Sequence, residues 1–166
     1  MSDCLAPKLV LRSEWKAAPP MSHLARIPRF SRIGIHYSTG QELGVEDCAA
    51  WVRSIQAYHQ RSKGWADVGY NFLVCKHGTV FEGRGWDYQG AHCPGRNHDS
   101  IGICFLGNDD QGVSDVTTAA KSAILFLIEE FKKRFGNPVE VFPHRKYKAT
   151  ECPGDELTAW IAAGLL

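Results

Sequence analysis

Two histidines and one cysteine stand where short apolar runs end, at positions suited to binding a metal ion. His36 closes one such run, His144 follows another, and Cys152 comes shortly afterwards, just before a predicted helix. Two imidazoles and a thiolate suit zinc, and three protein ligands leave a fourth position for water, as in catalytic zinc sites. Zinc lowers the pKa of bound water to about 7 and polarises a carbonyl group. The three residues are therefore a candidate hydrolytic zinc site, although taken alone they remain compatible with a structural role.

Predicted helices and strands alternate along the chain, and together they must position the three candidate ligands. Apolar residues recur at helical spacing over about residues 45–60 and 115–135, and a short helix follows Pro153-Gly154. Ser114 is the expected N-cap of the second helix. Short β-like runs cover residues 32–37, 70–76, 79–82, 101–106 and 139–142. The pattern predicts an α/β fold, with a central mixed β-sheet of about five to six strands, three flanking helices and the zinc site at strand ends.

The charge balance and the length of the apolar stretches indicate which classes of binding partner to exclude. The 166 residues carry 19 basic and 18 acidic side chains, a net charge of +1. This balance argues against nucleic acid, which requires a basic surface. No apolar stretch is long enough to span a bilayer, so we expect no membrane insertion. We expect a single domain over residues 1–166, and a monomer.

Six cysteines without a Cys-x-x-Cys pair favour few or no disulfides. Cys75 and Cys104 lie in strand-like runs, where cysteine behaves as a small hydrophobic residue. The first residues do not resemble a signal peptide, which predicts synthesis in the cytoplasm.

Five motifs in order resemble one known family. They read IGIHYSTG, GWADVGYNFLV, GTVFEGRGWDYQGAH, SIGICFLGND and PHRKYKATECPG, and the opening LRSEWKAAPP fits as well. This series resembles the peptidoglycan recognition proteins, within the type 2 N-acetylmuramoyl-L-alanine amidases. The resemblance implies hydrolysis of the amide between the lactyl group of N-acetylmuramic acid and the L-alanine of the peptidoglycan stem peptide, with zinc-bound water as the nucleophile.

The resemblance also implies roles for individual residues. It makes His36, His144 and Cys152 the ligands of one zinc ion, and places Tyr70 and Thr150 as catalytic residues beside it. Tyr70 would orient the water or protonate the leaving amine, and Thr150 would donate a hydrogen bond to the oxyanion.

A further set of residues is expected to contact the substrate. Gly64, Trp65 and Arg84 match positions that accompany meso-diaminopimelate in the stem peptide, and a guanidinium can bind its extra carboxylate. The predicted substrate-binding residues are Tyr37, Gly64, Trp65, Arg84, His92 and Asn108.

Two departures from the family pattern indicate what kind of organism the chain comes from. Glu42 stands where animal members have a cysteine that pairs with the position of Cys48, and Tyr37 replaces a second histidine. With the apparent lack of a signal peptide, these departures favour a bacterial or phage enzyme, an antimicrobial endolysin that degrades the bacterial cell wall. Two alternatives stay open: a non-catalytic module that only binds peptidoglycan, and a thiol hydrolase with Cys152 as nucleophile and His144 as base.

Overall fold

The computed structural model describes residues 6–40, 47–110 and 113–165. Three helices are present: α1 (Cys48–Arg61), α2 (Thr118–Phe135) and α3 (Asp155–Ala162), with a 3-10 helix at His144–Lys146. The strands are β1 (Leu9–Val10), β2 (Arg32–Tyr37), β3 (Phe72–Cys75), β4 (Val80–Glu82), β5 (Ser100–Leu106), β6 (Asp109–Asp110), β7 (Val113–Ser114) and β8 (Glu140–Pro143).

Six strands form one mixed sheet in the order β1-β4-β3-β5-β2-β8. The β3–β4 pair is antiparallel, and every other neighbouring pair is parallel. Strands β6 and β7 form a separate small hairpin. The predicted α/β class, the six-stranded mixed sheet and the three helices are confirmed.

Side-chain alternation along the strands gives the sheet two apolar faces. One face carries residues such as Ile33, Ile35 and Ile103 and packs against α2 and α3. The other carries Leu73, Cys75, Cys104 and Leu106 and packs against α1. In β2, His36 falls between the apolar positions Ile35 and Tyr37 and therefore points to the α1 face.

The predicted N-cap of α2 is wrong by three residues. Ser114 lies in the β6–β7 hairpin, and Thr117 caps the helix by accepting a hydrogen bond from the Ala120 N–H at 3.0 Å. The Thr117 hydroxyl also donates to the Lys76 carbonyl at 2.5 Å, which ties the start of α2 to the β3–β4 turn. This tertiary contact fixes where the helix begins.

Within the described residues, no helix is both long and apolar enough to cross a membrane.

Candidate metal centre

The structure brings His36, His144 and Cys152 together at the carboxyl end of β2. One ligand atom from each residue lies within 4.8 Å of the other two. The Cys152 Sγ is 3.6 Å from His36 Nδ1, and the rings of His36 and His144 have their centroids 4.5 Å apart. The three residues come from β2, the 3-10 helix after β8 and the loop before α3, so only the folded chain assembles them.

A hydrogen-bond chain behind His36 orients its ring. His36 Nε2 lies 2.9 Å from Nδ1 of the buried His92, and His92 Nε2 lies 3.3 Å from the Ser100 carbonyl oxygen. Because a carbonyl only accepts, His92 donates from Nε2 to Ser100 and accepts at Nδ1 from His36. The lone pair of His36 is therefore left on Nδ1, the atom that faces Cys152. Metal-binding histidines are commonly held in this way.

The cluster fits a zinc ion on two further observations. Nε2 of His144 is buried and has no hydrogen-bond partner, which a bound metal would supply. Burial lowers the pKa of His144 to about 4 and that of His36 well below its usual value, so both rings are neutral, as zinc ligands must be. The 3.6 Å edge between Cys152 Sγ and His36 Nδ1 also matches the edge of about 3.6 Å expected for tetrahedral zinc with ordinary Zn–S and Zn–N bonds.

Both residues predicted to be catalytic lie beside these ligands. The ring of Tyr70 is 5.3 Å from that of His36, and burial, with Cys104 and Cys152 nearby, raises the pKa of Tyr70 well above its usual value. Its hydroxyl consequently keeps its proton. The Thr150 hydroxyl oxygen accepts a hydrogen bond from the Cys152 N–H at 3.3 Å, so Thr150 holds the turn that presents the cysteine.

Two predicted substrate contacts are largely buried, and one of them, Tyr37, also lines an open pocket beside Asp110 and Arg145. His92 is only 6% exposed and stands behind His36. Tyr37 is 7% exposed, belongs to the core on the α2/α3 face, and donates its hydroxyl hydrogen to Asp110 at 2.6 Å. The structure thus gives both side chains contacts within the protein, and their contact with substrate stays a prediction.

Arg84 is anchored to backbone carbonyl groups. Its guanidinium donates to the carbonyls of Val68 and Gln89, each at 2.7 Å, and to that of Asp67 at 3.4 Å. Since a guanidinium has five N–H groups, two remain for a ligand.

The other predicted contacts lie in loops. Gly64, with φ of +67°, and the half-buried Trp65 follow α1, and the Trp65 ring packs on that of His59 at 4.6 Å. Asn108 lies between β5 and β6, where its backbone N–H donates to the Asp115 carboxylate at 3.0 Å. Whether these residues touch substrate stays a prediction. Glu42, which stands at the family's usual cysteine position, lies outside the described residues.

The sequence analysis predicted His92 as a substrate contact and did not predict that it orients the His36 ring. The motif GAH marks the residue, but the contact with His36 depends on Gly102, which has no side chain at the point where His92 packs. A Cβ atom on Gly102 would lie 2.5 Å from the His92 ring. The pairing of glycine and histidine across two segments carries no signal in a single sequence.

Comparisons with known proteins identify the family of the chain. Residues 28–155 match the family described as N-acetylmuramoyl-L-alanine amidase. The chain is 37% identical over 164 residues to peptidoglycan-recognition protein SC2 of Drosophila simulans, covering 94% of this chain and 88% of the relative. It is 34% identical to human N-acetylmuramoyl-L-alanine amidase, covering 91% of this chain and 27% of that protein. Among solved structures, peptidoglycan recognition protein LE in complex with tracheal cytotoxin, a monomeric diaminopimelic acid-type peptidoglycan, superposes with a TM-score of 0.84 at 28% identity, covering 93% of this chain and 92% of that one.

These relatives are insect and human proteins, so the predicted phage or bacterial origin is not supported. The prediction relied on two residue replacements and on the first residues of the chain, which say less about origin than identity along nearly the whole sequence. The match over most of the chain shows that it belongs to the N-acetylmuramoyl-L-alanine amidase family, together with the peptidoglycan recognition proteins.

Proposed function

We propose that the protein is a zinc-dependent amidase that cleaves peptidoglycan between the lactyl group of N-acetylmuramic acid and the L-alanine of the stem peptide. The observation that carries this proposal is the complete ligand set, in which a buried, unpartnered Nε2 of His144 lies beside His36 and Cys152. A site built only to recognise peptidoglycan does not need three inward-facing metal ligands. The proposed place of action is the bacterial cell wall or its fragments.

The residues around the ligands supply the other parts of the reaction. A zinc ion bound there would act as a Lewis acid on the scissile carbonyl and lower the pKa of a bound water molecule. Tyr70 keeps its proton and lies against His36, where it can orient the attacking water or donate to the leaving amine. The Thr150 oxygen accepts from the Cys152 N–H, so its own O–H is free to donate to the carbonyl oxygen as negative charge develops.

We further propose a meso-diaminopimelate stem peptide as substrate. The LE relative was solved with a ligand of the diaminopimelic acid type. In this chain Arg84 is held by three carbonyls and keeps two N–H groups for an additional carboxylate.

The test is release of stem peptide from diaminopimelate-type peptidoglycan, followed by the new L-alanine amino groups. We expect activity in zinc-loaded protein, loss in chelator, and a fall of at least about 100-fold in Cys152→Ser, because that change removes a metal ligand. Cys93→Ala is the matched control, since Cys93 is also buried but outside the cluster.

The two alternatives have distinct outcomes in the same assay. A recognition module would bind peptidoglycan in a pull-down yet release nothing when loaded with zinc. A thiol hydrolase would keep full activity in chelator; against it, burial raises the pKa of Cys152 to about 12, which leaves almost no nucleophilic thiolate at neutral pH unless a metal displaces the proton.

A further inference from the structure

A second group of metal-type ligands lies apart from the proposed zinc centre. Cys48 is the first residue of α1, Cys75 ends β3, and His77 is in the turn between β3 and β4. One ligand atom from each lies within 4.8 Å of the other two. The sequence analysis treated Cys75 as a small hydrophobic residue of a strand and assigned no role to His77.

The spacing of the three ligand atoms matches zinc coordination. His77 Nδ1 is 3.5 Å from Cys48 Sγ and 3.8 Å from Cys75 Sγ. Zn–S bonds of about 2.3 Å and Zn–N bonds of about 2.0 Å at tetrahedral angles give an S···N edge of about 3.6 Å. Both edges are thus close to the 3.6 Å between Cys152 Sγ and His36 Nδ1 in the first centre.

The surroundings favour a bound cation with two thiolates. Cys48 is the first residue of α1, and the helix dipole there stabilises the negative charge of a metal-bound thiolate. Two thiolates and a neutral imidazole around Zn²⁺ give a cluster without net charge. Such a cluster can occupy a site in which Cys75 is buried and His77 is exposed, with solvent as the fourth ligand.

The two centres are separate. Along the sheet, Leu73 of β3 is level with Cys104 of β5 and His36 of β2. Cys75 is two residues further along β3, which puts its Cα about 12 Å from that of His36 for ordinary strand spacing and rise. The two sets share no residue, so each can be removed without the other.

From these contacts we propose that Cys48, Cys75 and His77 bind a second zinc ion, with a structural role. The ion joins the start of α1 to the end of β3 and to the turn after it. Its fourth position opens to solvent on the side of the exposed His77, far from the groups assigned to amide hydrolysis.

The experiment counts zinc per chain by elemental analysis after loading reduced protein with Zn²⁺ and removing the excess. We expect two ions in the wild-type protein, one in Cys152→Ser, one in His77→Gln, and none in the double variant. His98→Gln, a change to another exposed histidine outside both clusters, should keep two. Because His77 is exposed, its replacement leaves the core intact and the amidase activity unchanged.

A second readout identifies the ligands. Co²⁺ loaded into Cys152→Ser should show thiolate-to-metal charge-transfer absorption that falls in Cys48→Ala and is lost in Cys48→Ala/Cys75→Ala. The proposal is overturned if wild-type protein holds one zinc and Cys152→Ser none, as expected for a thiol pair that merely hydrogen-bonds His77. A Cys48–Cys75 disulfide that persists after treatment with a thiol reductant and Zn²⁺ would also overturn it. Neither result counts against the proposed amidase, whose zinc ligands are all present in the wild-type protein.

Discussion

At the scale of single residues, the neutral His92 decides which nitrogen of His36 is available to a metal. The buried His92 accepts a hydrogen bond from Nε2–H of His36 at its Nδ1 and donates its own Nε2–H to the Ser100 carbonyl. Replacing His92 by leucine removes the acceptor and lets the His36 ring turn or change tautomer. We expect His92→Leu to lower zinc affinity at the first centre by about 10- to 100-fold, measured by competition with a chelating dye.

His92→Gln is the informative partner of that variant. A glutamine carbonyl can accept the same proton, so we expect it to recover much of the affinity that leucine loses. If leucine and glutamine bind zinc as tightly as the wild-type histidine, the orienting role is wrong. Measuring in the His77→Gln background keeps the second cluster out of the titration.

The ligands themselves could be predicted from the sequence, whereas the residues behind them could not. His36 and His144 lie at the ends of apolar runs, and the ends of parallel strands meet at one edge of a sheet, while the family resemblance assigned Cys152. His92 reaches His36 only because Gly102 leaves room for its ring. The room beside Gly102 depends on how distant segments pack together, and such packing leaves no periodic pattern in the sequence.

At the scale of elements, Glu140 on β8 holds the short helix that carries His144. Its carboxylate accepts hydrogen bonds from Lys146 at 2.5 Å, Arg32 at 2.7 Å and Tyr147 at 2.9 Å. Burial raises the pKa of Glu140, but these hydrogen bonds outweigh it and lower the pKa to about 2. Glu140→Gln should reduce the free energy of unfolding at pH 7 by about 1–2 kcal/mol, since the carboxylate is partly solvated.

The pH dependence has a definite sign. A carboxyl with a lowered folded-state pKa adds stability above its unfolded value of about 4.5 and loses it as the pH falls towards 2. Denaturant unfolding of wild-type and Glu140→Gln protein should therefore differ at pH 7 and converge as the pH falls through about 2. Glu129→Gln, which removes an exposed pair with Lys132, should cost less than about 0.5 kcal/mol. Equal effects at the two positions would contradict the assignment.

Long periodic elements were predictable, and short ones were not. Apolar residues at helical spacing predicted the helix α2, and the glycine and proline that follow Phe135 predicted where it ends. Strand β1 and the β6–β7 hairpin were missed because two-residue strands have no detectable alternation. Strand β1 owes its place to pairing with the distant β4.

At the scale of the whole molecule, the proposed metal sites couple distant parts of the chain to the sheet. The first joins β2 to the two segments that follow β8, and the second joins α1 to β3. An ion that binds only the folded chain stabilises it by about 4 kcal/mol at a free concentration of 1,000 times its Kd. For a domain of this size, each kcal/mol raises Tm by about 2–4 °C, so one saturated centre should add about 8–16 °C.

Scanning calorimetry of four proteins can assign this stabilisation to each centre. Compared with protein in chelator, the wild-type protein in Zn²⁺ should show the largest rise in Tm. Cys152→Ser and His77→Gln should each show part of that rise. The double variant should show none. The two parts should add, since the centres share no ligand and the Cα atoms of Cys75 and His36 lie about 12 Å apart. A zinc-dependent rise that survives in the double variant would mean that the stabilising ion binds elsewhere, and both ligand assignments would then fail together.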